Sequence, residues 1–321
     1  MKYIKDAIHF HMDSDTAVTV GKFDGIHRGH EYLAKKVVQH AASHALQSVV
    51  ITFDKSPRTY FSGNGSSAEK NLITNQERAY ILEKLGVNYL LELSFTEELI
   101  HMSPEEFLRL LTGQFRMKYM VCGTDFTFGS KGAGDVEMLE SSREKKGFLL
   151  DVVNKIKEQN KDISSSYIRQ EILKANLENA NRLLGYEYFL YGSVVHGNHI
   201  GTSLSMPTIN IIPTSDKLLP PNGVYATVAE TDGLCLPSVS NIGIRPTIEE
   251  ETKRICVETH ILDYSKDLYD KVAKISFLKY LRPERRFSSL EELSAQMQKD
   301  VDETNRFFSG ERNITKLLQK Y

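Results

Sequence analysis

Cysteine is scarce: Cys122, Cys235 and Cys256 are the three in 321 residues. Their number is odd, they are far apart, and none forms a Cys-x-x-Cys pair. That pattern argues against a disulfide framework and a thiolate zinc site, and it points to a reducing cytoplasm. Long apolar runs are also missing. No stretch of about 18 apolar residues offers a membrane span. The start, Met1-Lys2-Tyr3-Ile4-Lys5-Asp6, lacks the apolar core of a signal peptide. Neither sign of charge dominates: 40 Lys and Arg stand against 42 Asp and Glu, a formal charge of −2. A general nucleic-acid or membrane-surface binder needs a positive excess, so both classes are disfavoured, although a local basic pocket is allowed. Heptads, repeats and low-complexity tracts are absent. The one biased patch, Ser62-Gly63-Asn64-Gly65-Ser66-Ser67, reads as a mobile loop.

What is present is ordinary for a soluble protein: 40% hydrophobic and 26% charged residues. At roughly 100–200 residues per domain, the length predicts about two domains. The first half alternates strands and helices. Ala17-Val18-Thr19-Val20 is a strand ending in Gly21, and a helix follows from about His30 to His44, with Leu33, Ala34, Val37, Val38 and Ala41 on one face. Ser48–Phe53 has no alternation, as expected of a strand buried on both faces. Gln76–Leu85 reads as a helix and Tyr89–Leu93 as a strand. Ser103-Pro104-Glu105-Glu106 is a helix start, and Lys118–Gly123 is another strand ending in glycine. This order predicts a parallel sheet with right-handed crossovers.

The rhythm changes near Gly185, after a predicted helix over Ser166–Leu184. Short strands are predicted at Tyr188–Val195, Thr208–Ile212, Val224–Ala229, Ile255–Leu262 and Val272–Leu278, separated by Gly, Pro, Asn and Asp. Closely spaced strands without helices predict an antiparallel barrel or sandwich. A helix closes the chain, opened by Ser288 and Ser289 ahead of Glu291 and Glu292, with Leu290, Leu293, Met297 and Val301 as its stripe. The domain boundary is placed near residue 185, giving domains 1–185 and 186–321.

The most informative stretch is Gly21-Lys22-Phe23-Asp24-Gly25-Ile26-His27-Arg28-Gly29-His30, between a buried strand and a helix. Parallel α/β sheets bind ligands at such strand ends. Glycines admit a phosphate close to the backbone, and the helix start favours an anion. Two histidines three apart can both donate to phosphate oxygens. Taken alone, His-x-x-His reads equally well as structural. Zinc is disfavoured because no cysteine or third histidine has suitable spacing, and the stretch lacks the Gly-Lys-Ser/Thr ending of a Walker A loop. His40 and His44, four apart on the helix, read as surface residues.

At these residues the sequence resembles the HxGH superfamily of nucleotidylyltransferases, and more closely the bacterial bifunctional riboflavin kinase/FAD synthetase family. Thr52-Phe53-Asp54, Gly123-Thr124-Asp125-Phe126-Thr127-Phe128-Gly129 and Ile163-Ser164-Ser165-Ser166-Tyr167-Ile168-Arg169 agree with that family in order. The resemblance implies a Rossmann-like first domain in which the phosphate of FMN attacks the α-phosphorus of ATP. It implies that Gly21, Phe23, Gly25, Gly29, Ser164 and Ser165 bind nucleotide and that His27, His30 and Arg169 are catalytic. Asp54, Asp125 and Phe126 would line the flavin. Taken alone, the three serines read as a helix cap, and Phe126 reads equally as core. The family often has His where this chain has Ser56 before Pro57, and Thr where it has Ser166.

In the second half, Pro207-Thr208-Ile209-Asn210, Gly223-Val224-Tyr225, Ser240–Thr247, Val257–Asp263 and Leu281-Arg282-Pro283-Glu284 resemble riboflavin kinase, which implies a six-stranded antiparallel barrel with a terminal helix. By that resemblance Thr208 and Asn210 hold Mg²⁺ and Glu258 is the catalytic base for the ribityl 5′-hydroxyl. Taken alone, each is an ordinary strand residue. The family's glycine loop is altered to Thr202 and Ser205, and its Asp-Leu-Tyr-Gly ends here in Asp270. A lost charged hydrogen bond costs about 1.5–3 kcal/mol, and a non-glycine left-handed residue about 1–2 kcal/mol. The expectation is an FAD synthetase using ATP and FMN, with a kinase domain that phosphorylates riboflavin weakly or not at all. A fully bifunctional enzyme, a non-catalytic flavin-binding regulator and a nucleotidylyltransferase for another phosphorylated substrate are the alternatives. Oligomeric state is not legible.

Overall fold

A computed structural model describes residues 1–54, 69–196, 206–245, 254–264, 266 and 268–310. The Ser62–Ser67 patch, Ser56 and Pro57, and the altered loop positions Thr202 and Ser205 lie outside the described residues. The chain divides into two compact units, Met1–Ser165 and Ser166–Tyr321.

The first unit is built on a six-stranded parallel sheet. Its strands are β1 (Lys2–Ile4), β2 (Thr16–Val20), β3 (Gln47–Phe53), β4 (Tyr89–Leu93), β5 (Met117–Gly123) and β6 (Leu149–Val153), in the order β1-β4-β3-β2-β5-β6. Between them run α1 (Arg28–Ser43), α2 (Asn75–Lys84), α3 (Glu97–His101), α4 (Pro104–Arg109) and α5 (Val136–Lys146). All five residues of β2 and the five central residues of β3 are buried, as unalternating β-branched runs require when helices cover both faces. One face packs Val18, Val20, Val49, Ile51, Leu91, Met120 and Cys122 against Phe107, Leu111 and Phe115. The other face meets α1 and α2 through Ala34, Val37, Val50, Leu82 and Leu90. Chain order reverses between β2 and β5, which are parallel neighbours. That switch point opens a crevice at the carboxyl ends of the strands.

Helix starts follow the sequence. Thr74 and Ser103 form capping boxes with Glu77 and Glu106, and Pro104 occupies the first turn of α4. His40 departs from its expected place on the surface. Its side chain is 18% exposed, Nε2 lies 2.9 Å from Asp151, and the ring stacks on Tyr119 at 3.9 Å. After β6 come the short paired strands β7 (Lys157–Glu158) and β8 (Lys161–Asp162).

The predicted helix over Ser166–Leu184 is two helices, α6 (Ser165–Leu173) and α7 (Leu177–Leu184). The break falls at Ala175, whose φ is 56°, and it is sealed by Asn176, whose side chain donates to Glu171 at 2.5 Å. Gly185 then ends α7 in the left-handed conformation.

The second unit holds β9 (Phe189–Ser193), β10 (Thr208–Ile211), β11 (Gly223–Thr231), β12 (Leu234–Arg245), β13 (Arg254–Ile261) and β14 (Val272–Arg282), all antiparallel in the order β10-β13-β12-β11-β14-β9. The curl brings the two ends of the sheet together, where Val195 N donates to Asn210 O at 2.8 Å. Strand β12 has no counterpart among the predicted strands. Its buried residues include Ile242, and Ser238 and Ser240, which join Thr227 and Thr259 in a buried hydroxyl network with 2.8 Å links. The closing helix α8 (Leu290–Gly310) starts at Ser289, which accepts from Glu292 N. Its buried face is Asp300, Thr304 and Phe308, whereas Leu290 is 55% exposed. Of the expected stripe, Leu293, Met297 and Val301 are half-buried and Leu290 is exposed, and on the buried face Arg282 binds Asp300 through two hydrogen bonds of 2.8 and 2.7 Å.

Candidate active sites

The carboxyl end of β2 runs straight into the Gly21–His30 turn. Phe23, Gly25 and Ile26 all have positive φ, and Phe23 and Ile26 are nonetheless fully buried. Left-handed backbone at bulky residues is strained. Here it is held by their packing against Ala34, Val50 and Ile73. Asp24 fastens the turn further. It is 2% exposed, its Oδ1 accepts from Leu72 N at 2.8 Å and Ile73 N at 3.4 Å, and Lys22 lies 3.8 Å from Oδ2. Its main-chain oxygen accepts from the Ser165 hydroxyl at 2.7 Å.

His27 ends this turn as the residue before α1, and His30 lies in the first turn of that helix. Their rings stack at 4.0 Å between centroids, with Phe23 at 5.0 Å from His30. Gly29 leaves room for the pair, since a Cβ there would stand 3.2 Å from the His27 ring. Burial pushes the His27 imidazole down to about 4, against a smaller opposing pull from Asp24. Burial also holds His30 well below the usual histidine range, helped by His27 and Arg78. Both rings are therefore neutral near pH 7. Among the described residues, neither Nδ1 has a hydrogen-bond partner, although both atoms are buried. An anion at the α1 start meets that deficit, the free N–H groups and the helix dipole together.

The other expected residues of the first domain are distributed as follows. Ser164 precedes α6 and is half-buried, and Ser165 bonds Asp24 as described. Asp54 closes β3, where its carboxylate accepts from Phe95 N at 2.8 Å. Asp125 follows β5 and is exposed, with Oδ2 2.8 Å from Lys155 Nζ. Phe126 packs against the core and stacks on Phe128 at 5.6 Å. Gly21, Asp54 and Asp125 thus stand at the carboxyl ends of β2, β3 and β5. Arg169 is buried on α6 in the second unit, beside Ile168 and Ile172. Three polar residues escaped the sequence reading: Asp24 as a fastener, Lys155 against Asp125, and Glu158, which holds Arg28 at 2.6 Å. Ion-pair partners more than 25 residues apart leave no local pattern.

In the second unit, Thr208, Asn210 and Glu258 come together. Asn210 and Glu258 are cross-strand partners on β10 and β13, so they share a face. The Thr208 hydroxyl donates to Glu258 Oε1 at 2.7 Å. Asn210 is 2% exposed, and its Oδ1 accepts from the Cys256 thiol at 3.5 Å. His260 Nδ1 lies 2.9 Å from Pro207 O and fixes the start of the strand. Asp270 carries a φ of 61°, a conformation that aspartate tolerates better than most residues. Its backbone N–H still donates to Val194 O at 3.2 Å.

A parallel switch-point domain with a histidine pair at a helix start, followed by a small curled antiparallel sheet with an oxygen-rich strand face, defines a two-domain nucleotide-handling transferase. The family models agree: FAD synthetase matches residues 9–167 and riboflavin kinase matches residues 184–308. Curated relatives include the bifunctional riboflavin kinase/FMN adenylyltransferases of Listeria monocytogenes, Bacillus subtilis and Escherichia coli K12. The first is 33% identical over 297 residues, covering 92% of this chain and 94% of the relative. The second is 33% identical over 298 residues, with the same coverage of 92% and 94%. The third is 34% identical over 295 residues, covering 91% and 92%. The chain belongs to the bifunctional riboflavin kinase/FMN adenylyltransferase family. A crystal structure from Streptococcus pneumoniae, described as a macrolide-efflux protein, superimposes with a TM-score of 0.82 at 28% identity, covering 95% of this chain and 99% of that one. Among the described residues here, no helix is long and apolar enough to cross a membrane.

Proposed function

We propose that residues 1–185 make FAD from FMN and ATP, and that residues 186–321 phosphorylate riboflavin to FMN at a lower rate. In the first reaction an FMN phosphate oxygen bonds to the α-phosphorus of ATP while the bond from that phosphorus to the bridging oxygen breaks. Pyrophosphate leaves, and no protein nucleophile is needed. The domain's work is to align two anions and to stabilise charge on the non-bridging oxygens. The observation that carries this reading is the stacked, neutral pair His27 and His30 at the α1 start. Neutral rings donate without a protonation step at neutral pH. Gly21, Phe23, Gly25, Gly29, Ser164 and Ser165 frame the nucleotide in this reading, Arg169 adds a fixed positive charge, and Asp54, Asp125 and Phe126 face the flavin.

In the second reaction Glu258 takes the proton of the ribityl 5′-hydroxyl as it attacks the γ-phosphorus of a second ATP, and ADP leaves. Magnesium, when bound, neutralises phosphate charge. Among the described residues no group of three or more His, Cys, Asp or Glu could hold a metal. The Thr208 hydroxyl and Asn210 carbonyl are hard oxygen donors, and Mg²⁺ prefers few protein oxygens alongside substrate phosphates. The residues present fit that ion. Thr202 and Ser205, in place of the family's arginine and glycine, support a slower kinase step. Asp270 does not, because aspartate tolerates the left-handed backbone it adopts. The test is to supply ATP and Mg²⁺ with riboflavin or with FMN and to separate the flavin products. FAD from FMN at a rate well above FMN from riboflavin supports both parts. Comparable rates refute the slow kinase, and no FAD refutes the first part.

A further inference from the structure

Beyond Glu258, the same face of the second-domain sheet carries a polar group with no role in the reading above. Asn241 on β12 is the cross-strand partner of Glu258 on the side opposite Asn210. Its Nδ2 donates to Glu284 Oε1 at 3.2 Å, and Asn222 Nδ2 donates to Glu284 Oε2 at the same distance. The carboxylate lies directly over Gly243, where a Cβ would stand 2.2 Å from Oε1. Its place is fixed from behind. Gly223 lets the chain pass at the end of β14, since a Cβ there would meet Arg282 O at 2.6 Å, and Arg282 is gripped by Asp300. Two glycines and a forked ion pair therefore seat an exposed carboxylate between two amides. A carboxylate with both oxygens oriented, and with lone pairs still facing solvent, accepts hydroxyl hydrogen bonds well.

We propose that Glu284, with Asn241, binds the polyhydroxylated side chain of the flavin and so sets its terminal hydroxyl against Glu258. The inference rests on the kinase reading above. Adjacent strands stand about 4.8 Å apart, so two strand spacings carry the row from Glu258 past Asn241 to the Asn222 side, roughly 10 Å away. A five-carbon chain of ~1.5 Å bonds spans roughly 6 Å. With its end at Glu258, its inner hydroxyls fall beside Asn241 and Glu284, and the ring system begins beyond them. The arrangement makes Glu284 a specificity residue for the polyol and not for the rings.

The test is a calorimetric titration of the full chain with riboflavin and with lumiflavin, which has the same rings and no polyol. Glu284→Ala is expected to weaken riboflavin binding about tenfold or more, the loss of a hydrogen bond to a charged group, while lumiflavin stays within twofold. Glu284→Gln, which keeps a neutral acceptor and the packing, is expected to fall between. Unchanged riboflavin binding in both variants overturns the proposal. So does an equal loss for riboflavin and lumiflavin, which reports a ring contact or a folding defect. Riboflavin-dependent FMN formation by the parent is scored separately. Its absence overturns the kinase reading, and the two-ligand comparison still decides Glu284.

Discussion

The Ser165 hydroxyl donates to the main-chain oxygen of Asp24 across 141 residues of sequence, at 2.7 Å. This single bond joins Ser165, the last residue of the first unit, to the histidine turn of the same unit. Asp24 is at the same time bound through its carboxylate to Leu72 N and Ile73 N at the entry of α2. Three segments that share no local pattern are thus fastened at one residue. Asp24→Ala is expected to remove the buried carboxylate that accepts from two backbone N–H groups and to lower unfolding stability by about 2–4 kcal/mol. Asp24→Asn, which keeps one acceptor oxygen, is expected to recover at least half of that. Urea unfolding of both variants is the check, and equal midpoints for parent and Asp24→Ala would remove Asp24 from this role.

His27→Ala and His30→Ala are each expected to slow FAD formation by roughly two powers of ten, as when one preorganised donor is lost. Their far-UV circular dichroism should match the parent, because neither side chain has a protein hydrogen-bond partner through Nδ1 among the described residues. Steady-state rates at saturating ATP are the measurement. A variant within threefold of the parent takes that histidine out of the mechanism.

Acid should destabilise the first domain through the same pair. The folded His27 titrates at about 4, below the ordinary histidine value of 6.5. Between those values the unfolded chain binds more protons than the folded one, so stability rises with pH across the window and falls as pH drops through it. The His27 share is of order 2–3 kcal/mol lost between pH 7 and 4. His27→Gln removes the titrating ring, so its stability should slope less steeply with pH than the parent's. Identical slopes from urea melts at pH 7, 6 and 5 would contradict the low histidine value.

Glu258→Gln keeps the length of the side chain and removes the base. The ratio of FMN formation to FAD formation in one preparation is expected to fall by two or more powers of ten. Thr208→Val removes the hydroxyl that donates to Glu258 and should lower the same ratio less. An unchanged ratio in Glu258→Gln shows that the proton goes elsewhere.

Much of the fold was legible because its signals are local. Unalternating runs at Val18 and Val49–Ile51 mark strands covered on both faces, and the Ser103-Pro104 start carries its own cap. Strand β12 was not legible. Two of its buried positions, Ser238 and Ser240, are polar and sit in a hydroxyl network, which interrupts the apolar period that Ile242 continues. The break at Ala175 carries no Gly or Pro, and the buried face of α8 carries the Arg282–Asp300 pair, whose members lie on different elements. At the candidate sites, residue types and motif order singled out His27, His30, Thr208 and Glu258, and the fold brings them together as two pairs. Asp24, Lys155, Glu158 and Glu284 act through partners that only the folded chain brings near.

The most direct measurement is the time course of FAD and pyrophosphate from ATP, Mg²⁺ and FMN, for the parent and for the His27→Ala/His30→Ala double variant. The account predicts equal amounts of the two products from the parent and a rate at least a hundredfold lower from the double variant. FAD appearing at the parent's rate without the two imidazoles would contradict it.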